Sequence, residues 1–324
     1  MGEPIIDFNG GESKFPIPEM LLRKPEGSDS TVQIIRTQPT EKDCSIQEIY
    51  FKAADNASLA FKYVYVENQY FQYEEWCQRL LKKRQQVMRL WNDAAQKKGS
   101  SLSDMPLLHI FIVIPMPELE EMIPRTYDAL ATLGQHEGLN GQEKLIKSEN
   151  DQVLAQNFAP SYRRKKPLPL AIAHAKEISK PNVDTLRNVF GVKICTAMLN
   201  ACGMIGGRWR YREIYIHSKL LLVDDVFCTL GSANLNQRSM VGDSELNMAT
   251  IDPVLTKGLR KRVWSMLSGG AWDGAECAKT DLKSTFHDWT ELMINNQEYQ
   301  KRSKAMKGFL MPLQDGRSSV KRYG

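Results

Sequence analysis

Hydrophobic and polar positions follow two different periods along most of the chain. Apolar residues spaced three and four apart predict helices at 45–56, 74–98, 253–267 and 281–296. Runs rich in β-branched and aromatic residues predict strands at 62–68, 107–115, 192–199, 213–216, 220–223, 226–230 and 245–251. Strands and helices in this order are typical of an α/β fold with crossover connections.

Three segments lack such a pattern. The first thirty residues are rich in Gly, Pro, Ser and charge, residues 134–169 are polar and include a basic run at 163–166, and the tail from Lys301 is basic. We therefore predict an extended lead-in at 1–30, one folded domain at 31–300 and a basic tail at 301–324. Residues 134–169 are interpreted as an insertion or a loosely packed segment of that domain.

Composition places the chain among ordinary globular proteins. It has 324 residues, of which 42% are hydrophobic and 25% charged. The net charge of +5 suits an anionic substrate or surface, but it is too small to predict nucleic-acid binding. The sequence shows no run of eighteen apolar residues and no secretory signal pattern. We expect no signal peptide or transmembrane segment, and a cytoplasmic location in the producing cell.

The strongest chemical signal lies at 217–224. In an extended segment His217 and Lys219 project to the same face. An imidazole beside an ammonium group is costly in a core, because neither helps to bury the other. The pair suits an anion, with Lys219 neutralising a phosphate oxygen and His217 attacking phosphorus or moving a proton.

Residues further along the chain add donors and acids to this pair. Gly231 permits a tight turn, after which Ser232 and Asn234 supply short donors for a phosphate. Asp243 and Glu245 share one face of a strand, and either could bind the second ring nitrogen of His217. The alternative is a surface strand with solvated side chains followed by an ordinary turn. The regular intervals between all these residues favour the phosphate site.

The pattern H-x-K-x4-D-x6-G-S-x-N, whose aspartate is Asp224, resembles the HKD motif of the phospholipase D superfamily at every position. Upstream, residues 63–71 are similar to the "I-E-N-Q-Y-F" strand that two-motif phospholipases carry between their HKD motifs. The likeness covers roughly residues 30 to 300. The chain thus resembles the C-terminal half of a two-motif bacterial phospholipase D, and among these the lipase effectors delivered by type VI secretion.

The resemblance implies a phospholipase D-like α/β fold, a mixed β-sheet flanked by helices in an α-β-α sandwich. It implies that His217 is the acid that protonates the leaving alcohol and later activates water, while another motif supplies the nucleophilic histidine. The phosphate would be bound by Lys219, Ser232 and Asn234. Glu245, or as second choice Asp243, would orient His217, and Asp224 would hold the strand and turn. No metal or cofactor is required by this chemistry.

The strand end at 67–69 carries a further candidate set. Glu67, Asn68 and Gln69 could face the substrate, because sites in α/β proteins gather at the carboxyl ends of strands.

A second HKD motif is missing from the chain. His174 and Lys176 give H-x-K, but Pro181 stands where the aspartate should be and no Gly-Ser follows. We therefore expect a homodimer in which each copy supplies one motif, or a separate N-terminal half that supplies it. Otherwise the chain is inactive.

Three functions follow as hypotheses. The first is hydrolysis of glycerophospholipids at a membrane surface, giving phosphatidic acid and the head-group alcohol through a phosphohistidine. The second is a nuclease, which the modest charge and the phospholipase-like flanks disfavour, so nucleic acid is not the expected partner. The third is an inactive half that binds lipid or a partner. Delivery to a target cell membrane is the alternative to a purely cytoplasmic location.

Overall fold

The computed structural model describes residues 30–59, 62–99, 107–157 and 180–317. The chain divides into two units, residues 1–31 and residues 32–324, and the elements below belong to the second. The predicted lead-in up to residue 29, the basic run at 163–166 and the His174-x-Lys176 sequence lie outside the described residues.

The described residues form one ten-stranded mixed sheet. Its strands are β1 (Gln33–Gln38), β2 (Asp43–Cys44), β3 (Tyr63–Asn68), β4 (Leu108–Val113), β5 (Val192–Ile205), β6 (Arg208–Glu213), β7 (Lys219–Val223), β8 (Phe227–Gly231), β9 (Glu245–Thr250) and β10 (Leu310–Pro312). Their order is β10-β5-β4-β3-β7-β8-β9-β1-β2, and β6 pairs with β5. The β3–β4 and β4–β5 pairs are parallel, while the other pairs are antiparallel.

Helices connect these strands. They are α1 (Ser45–Leu59), α2 (Glu74–Lys98), α3 (Ile123–Thr132), α4 (Asn140–Asn157), α5 (Val183–Val189), α6 (Gln237–Val241), α7 (Pro253–Leu267) and α8 (Lys279–Lys301). The predicted bounds of α2 and α7 are confirmed to the residue, and α7 begins at a proline, which needs no backbone donor in the first turn. No helix in the described ranges has an apolar stretch long enough to cross a bilayer.

Two hydrophobic cores lie on opposite faces of the sheet. Successive residues of β3 alternate between them, so that Val64 joins one core and Tyr65 the other. The first core contains Tyr50 of α1 and Trp76 of α2. The second is built around Trp264 of α7 and Trp289 of α8, whose ring centroids lie 5.6 Å apart. The expected mixed sheet flanked by helices on both faces is therefore confirmed.

Three expectations about elements are wrong. The described part of 134–169 is no loose insertion, because a 3-10 turn at His136–Leu139 and helix α4 bury Leu139 and Ile146. The strand expected at 213–216 lies earlier, as β6, because its partner is the far end of β5. The basic tail contributes β10, three residues whose short apolar run gives little periodic signal.

A buried ion pair fixes the turn between β7 and β8. Asp224 and Asp225 both have left-handed backbone angles, with φ of 54° and 57°. The Asp225 carboxylate accepts hydrogen bonds from Arg260 of α7, at 2.9 Å from Nε and 2.7 Å from Nη2, and from the Tyr63 hydroxyl at 2.7 Å. Burial raises the pKa of Asp225, but the hydrogen bonds from Arg260 and Tyr63 outweigh it and leave the pKa below its usual range.

Replacement of Arg260 by Met should destabilise the fold by about 3–5 kcal/mol, because it leaves the Asp225 charge buried without its partner. Urea unfolding followed by circular dichroism measures the change. Arg238→Met is the matched control, since the Arg238–Asp243 pair is largely exposed and should contribute less than about 1 kcal/mol. Equal effects of the two substitutions would contradict the assigned importance of the buried pair.

Candidate functional site

The predicted site residues meet at one edge of the sheet, where four neighbouring strands begin or end. Antiparallel pairing sets the end of β3 against the start of β7, with Asn68 opposite Lys219. It likewise sets the end of β8 against β9, with Gly231 opposite Asn247. This register brings together His217, Lys219, Glu245 and the 67–69 segment, although more than a hundred residues separate 67–69 from 217, whereas Asp224 lies at the other end of β7.

Lys219 is the buried cation of the site. Its Nζ donates to Gln69 Oε1 at 2.8 Å and to the main-chain oxygen of His217 at 2.7 Å. Burial lowers the pKa of Lys219, and the nearby Glu245 carboxylate partly offsets that effect. An ammonium group fixed in this way is positioned in advance for an anion.

His217 lies in the extended segment just before β7, with an exposed side chain. The strand begins at Lys219 because its ladder with β3 ends at the Asn68–Lys219 pair. The His217 ring lies 6.4 Å from that of Tyr215 between centroids. Among the described residues, no hydrogen bond to the imidazole occurs. The ring is thus free to meet a ligand from the open side of the sheet edge.

Both candidate orienting acids are engaged elsewhere. The Glu245 carboxylate accepts hydrogen bonds from the hydroxyls of Ser239, at 2.6 Å, and Ser232. Asp243 forms an exposed ion pair with Arg238 at 3.0 Å. The hydrogen bond expected from either acid to His217 is not formed in the structure, so the orienting role stays a prediction. Glu245 thus accepts hydrogen bonds from two serines, and its negative charge acts to raise the pKa of the nearby Lys219.

The turn at 231–234 is tightly packed. A side chain at position 231 would meet Asn247 Oδ1 and the Leu246 carbonyl oxygen at 2.3 Å, so only glycine fits. The Ser232 hydroxyl accepts from the Leu246 amide at 3.0 Å and donates to Glu245. The Asn234 Oδ1 atom is buried and has no hydrogen-bond partner in the described structure. Asn234 therefore keeps hydrogen-bonding capacity that the protein itself leaves unused.

The side chains of residues 67–69 form hydrogen bonds with other protein groups around the site. The expectation that they face the substrate is not met for Asn68. The Asn68 side chain is buried, and its Oδ1 accepts from the amides of Tyr70 and Leu235 at 3.1 and 3.2 Å. Its short amide satisfies two loop donors that would otherwise be unpaired. Glu67 accepts from the hydroxyls of Tyr65 and Ser218. Gln69 holds Lys219, as described above.

Asp224 lies at the opposite end of β7 from Lys219, about 16 Å along the strand at ~3.3 Å per residue. Its Oδ1 accepts from the Tyr63 amide at 2.8 Å. It therefore ties the start of β3 to the β7–β8 turn, away from Lys219, and its expected structural role stays a prediction. Burial raises the pKa of Asp224 to about 6.

Sequence reasoning missed a hydrogen-bonded chain that leads from Lys219 to a neighbouring cavity. Gln69 Nε2 donates to the Tyr215 hydroxyl, which donates to Glu118 at 3.0 Å. Tyr70 donates to the same carboxylate at 3.1 Å. The cavity has a volume of about 780 Å³ and is lined by Met116, Pro117, Glu118, Glu213, Tyr215, Gln314, Asp315, Gly316 and Arg317. The one available signal was the place of Tyr215, two residues before His217.

The assembled chemistry is that of an anion site with a proton-transfer group. A fixed ammonium and an exposed imidazole share one edge of the sheet. In the parts of the chain that the structure describes, no three His, Cys, Asp or Glu side chains are grouped closely enough to hold a metal ion.

Comparisons with known proteins agree with this chemistry. A family model described as phospholipase D matches residues 201–269, about a fifth of the chain. Phospholipase D alpha 2 of Oryza sativa subsp. japonica is 53% identical over 53 residues, 15% of this chain and 6% of that protein. Phospholipase D A of Dictyostelium discoideum is 38% identical over 69 residues, 20% of this chain and 5% of that protein. The matches thus span only a small part of these relatives.

Among solved structures, the chain is similar to NucT from Helicobacter pylori, with 12% identity and a TM-score of 0.32 over 74% of this chain and 96% of that one. It is also similar to Nuc from Salmonella typhimurium, a phospholipase D family member, with 15% identity and a TM-score of 0.31 over 71% and 90% of the two chains. Scores this low carry no argument about substrate or assembly.

Replacement of Asp224 by Asn should change how stability depends on pH. Because the Asp224 pKa is about 6 in the fold and about 3.9 in an unfolded chain, the native state holds more protons between these values. This group therefore lowers the free energy of unfolding as pH rises from about 4 to 6. Asn keeps the acceptor for the Tyr63 amide and tolerates the left-handed backbone.

Urea unfolding of both proteins at several pH values from 4 to 7 measures the effect. As pH rises across that window, the free energy of unfolding of the variant should increase relative to that of the native chain. A pH-independent difference would show that Asp224 titrates normally.

Proposed function

Since the chain belongs to the phospholipase D superfamily, we propose that it is a phosphodiesterase that hydrolyses glycerophospholipids to phosphatidic acid and the free head-group alcohol. The single observation that carries the proposal is the buried Lys219 ammonium, fixed by Gln69 beside the exposed His217. Among the described residues no carboxylate lies within ion-pair distance of Lys219 Nζ, and a desolvated and oriented cation of this kind is suited to a phosphate ligand.

The proposed reaction has two displacements. A histidine of a second HKD motif attacks phosphorus, so that a nitrogen–phosphorus bond forms while the bond to the head-group oxygen breaks. His217 gives its proton to that leaving oxygen. In the second displacement His217 takes a proton from water, the water oxygen bonds to phosphorus, and the nitrogen–phosphorus bond breaks. Lys219 and Asn234 bind the phosphate throughout.

The second motif must come from outside the described residues, and we propose that a second HKD-bearing half docks beside the site. An uncovered apolar face supports this. Leu230, Met248 and Ile34 lie side by side across β8, β9 and β1, and Leu230 and Ile34 are exposed. The face adjoins the edge that carries Ser232 and Glu245. A large exposed apolar patch is typical of an interface. A second copy and a separate N-terminal half are both sources of such a half, and delivery as a bacterial type VI effector stays a prediction.

Replacement of His217 by Ala should lower head-group release from phospholipid vesicles by about 10²–10⁴-fold, the usual contribution of a general acid and base. His287→Ala is the matched control, because the His287 side chain is exposed on α8 and lies beside Glu291, far along the chain from the candidate site residues; it should leave the rate unchanged. Cleavage of single- and double-stranded DNA is measured in parallel.

The dependence of head-group release on protein concentration then shows whether a second copy supplies the second HKD motif. Release that rises faster than linearly with protein and disappears in His217→Ala indicates a site made by two copies. No release at any concentration would overturn the proposal that the chain is active by itself. DNA cleavage without head-group release would overturn the proposed lipid substrate in favour of a nuclease.

Replacement of Ile34 by Thr should weaken self-association about tenfold, since it removes apolar area from the proposed interface and keeps a β-branched side chain in the strand. Sedimentation equilibrium gives the dissociation constants. Ile294→Thr is the matched control, because Ile294 lies on α8 and is exposed to a similar degree, 59% against 61% for Ile34. A chain that stays monomeric at every concentration would contradict a homodimer and leave a separate half as the source.

A further inference from the structure

Strands β5 and β6 leave the sheet as a two-stranded ribbon. Residues 192–197 of β5 pair with β4, residues 197–199 pair with β10, and the Asn200 amide donates to the Phe309 carbonyl, whereas residues 201–205 pair only with β6. The part that pairs only with β6 is about 13 Å long, at ~3.3 Å per residue. It ends in a two-residue turn, where Gly206 and Gly207 have φ of 59° and 74°, as tight hairpins with two left-handed residues require. A side chain added at either glycine would contact nothing within 4 Å, so the tip is open.

The two faces of this ribbon differ in chemistry. On one face Met204 pairs with Trp209 and Cys202 with Tyr211. The other face carries the arginines of β6, Arg208, Arg210 and Arg212, opposite Ile205, Gly203 and Ala201. All three arginines are exposed, and within the described residues no carboxylate lies within ion-pair distance of them. Strand geometry spaces them about 7 Å apart along one edge.

The tip is apolar as well as open. The exposed fractions of Met204 and Ile205 are 59% and 67%. The base is fixed, because the Tyr211 hydroxyl donates to the Lys304 carbonyl at 2.7 Å and the Met306 amide donates to Cys202 Sγ at 3.2 Å. Packing within the chain does not explain why this ribbon exposes apolar side chains at its tip. Nor does it explain three arginines that have no ion-pair partner among the described residues.

We propose that this ribbon docks on an anionic phospholipid bilayer, with Met204 and Ile205 entering the boundary between head groups and acyl chains and the three arginines binding lipid phosphates. Apolar residues beside basic ones are the chemistry of interfacial membrane binding. A nucleic acid would use the arginines but would leave the apolar tip in water, so the lipid surface is the better match. This proposal adds a membrane-binding surface to the proposed phospholipid hydrolysis, and it rests on that proposed function.

The ribbon is also connected to the site. From Glu213 at the end of β6, three residues lead to His217, and the Ile214 amide still donates to Leu199 of β5 at 2.7 Å. A docked ribbon would therefore hold the HKD edge close to the lipid surface, where the scissile phosphate lies.

The test is flotation of the full chain with vesicles of phosphatidylcholine containing phosphatidylglycerol. The native chain and His217→Ala should bind alike, because binding needs no turnover. The triple variant Arg208→Gln, Arg210→Gln, Arg212→Gln should bind on the order of 100-fold more weakly, about fivefold per arginine. Met204→Ser with Ile205→Ser should bind at least about tenfold more weakly.

Matched controls carry the same substitutions elsewhere. Lys82→Gln, Arg89→Gln and Arg262→Gln remove three exposed charges from α2 and α7. Met266→Ser with Ile294→Ser removes the same two residue types at similar exposure, 57% and 59%. Both control proteins should bind within about twofold of the native chain, and circular dichroism confirms that every variant is folded.

Absence of vesicle binding by the native chain, or equal binding by ribbon and control variants, would overturn the proposal. DNA that competes with vesicles, together with normal binding by the Met204 and Ile205 variant, would overturn it in favour of a nucleic-acid surface. Failure of the proposed function is separate: a chain that floats with vesicles but releases no head group has the membrane surface without the activity. Release of head group from a soluble short-chain phospholipid should be the same in ribbon and control variants.

Discussion

The antiparallel ladder between β3 and β7 is the interaction on which the rest of the structure depends. At one end it sets Asn68 against Lys219, and at the other the Asp224 carboxylate binds the amide of Tyr63. One short pair of central strands thus carries the candidate site at one end and the contact between Asp224 and Tyr63 at the other. Because both strands are buried on both faces, their register is fixed by packing as well as by hydrogen bonds.

Burial of polar groups at this edge makes the site rigid. Lys219, Asn68 and Asn247 are nearly inaccessible to solvent, and each has hydrogen-bond partners on a neighbouring strand or loop. Groups of this kind cost free energy unless they are paired, so they specify one arrangement. His217 is the contrast, since it projects from the same edge with its imidazole unconstrained. A buried, hydrogen-bonded cation beside an exposed imidazole is an arrangement suited to a charge that develops and then disappears.

The sequence predicted those parts whose signal is local. The apolar stripe of α2 was sufficient to locate that helix and the apolar run of β4 to locate that strand, while the intervals from His217 to Asn234 predicted a set of site residues whose roles stay a prediction. The sequence carries no such local signal where tertiary packing determines the secondary structure. Helix α4 is largely polar, and β10 is stable only because it pairs with β5. The hydrogen-bond donors to Glu245 were equally hidden, because Ser232 and Ser239 approach it only after β9 pairs with β8. Asn68 looked like a ligand residue, and its burial shows that its amide serves the loops.

The pairing of β1 with β9 has a consequence for how the chain is made. Gln33 pairs with Ala249, so about 200 residues must be synthesised before β1 finds its neighbour. Contacts between such distant segments form slowly, since loop closure costs entropy before pairing offsets it. While β1 waits, its unpaired backbone and the apolar Ile34 and Ile35 are available to other chains. Until the ninth strand emerges, β1 therefore lacks the neighbour that pairs with residues 33–37 in the folded protein.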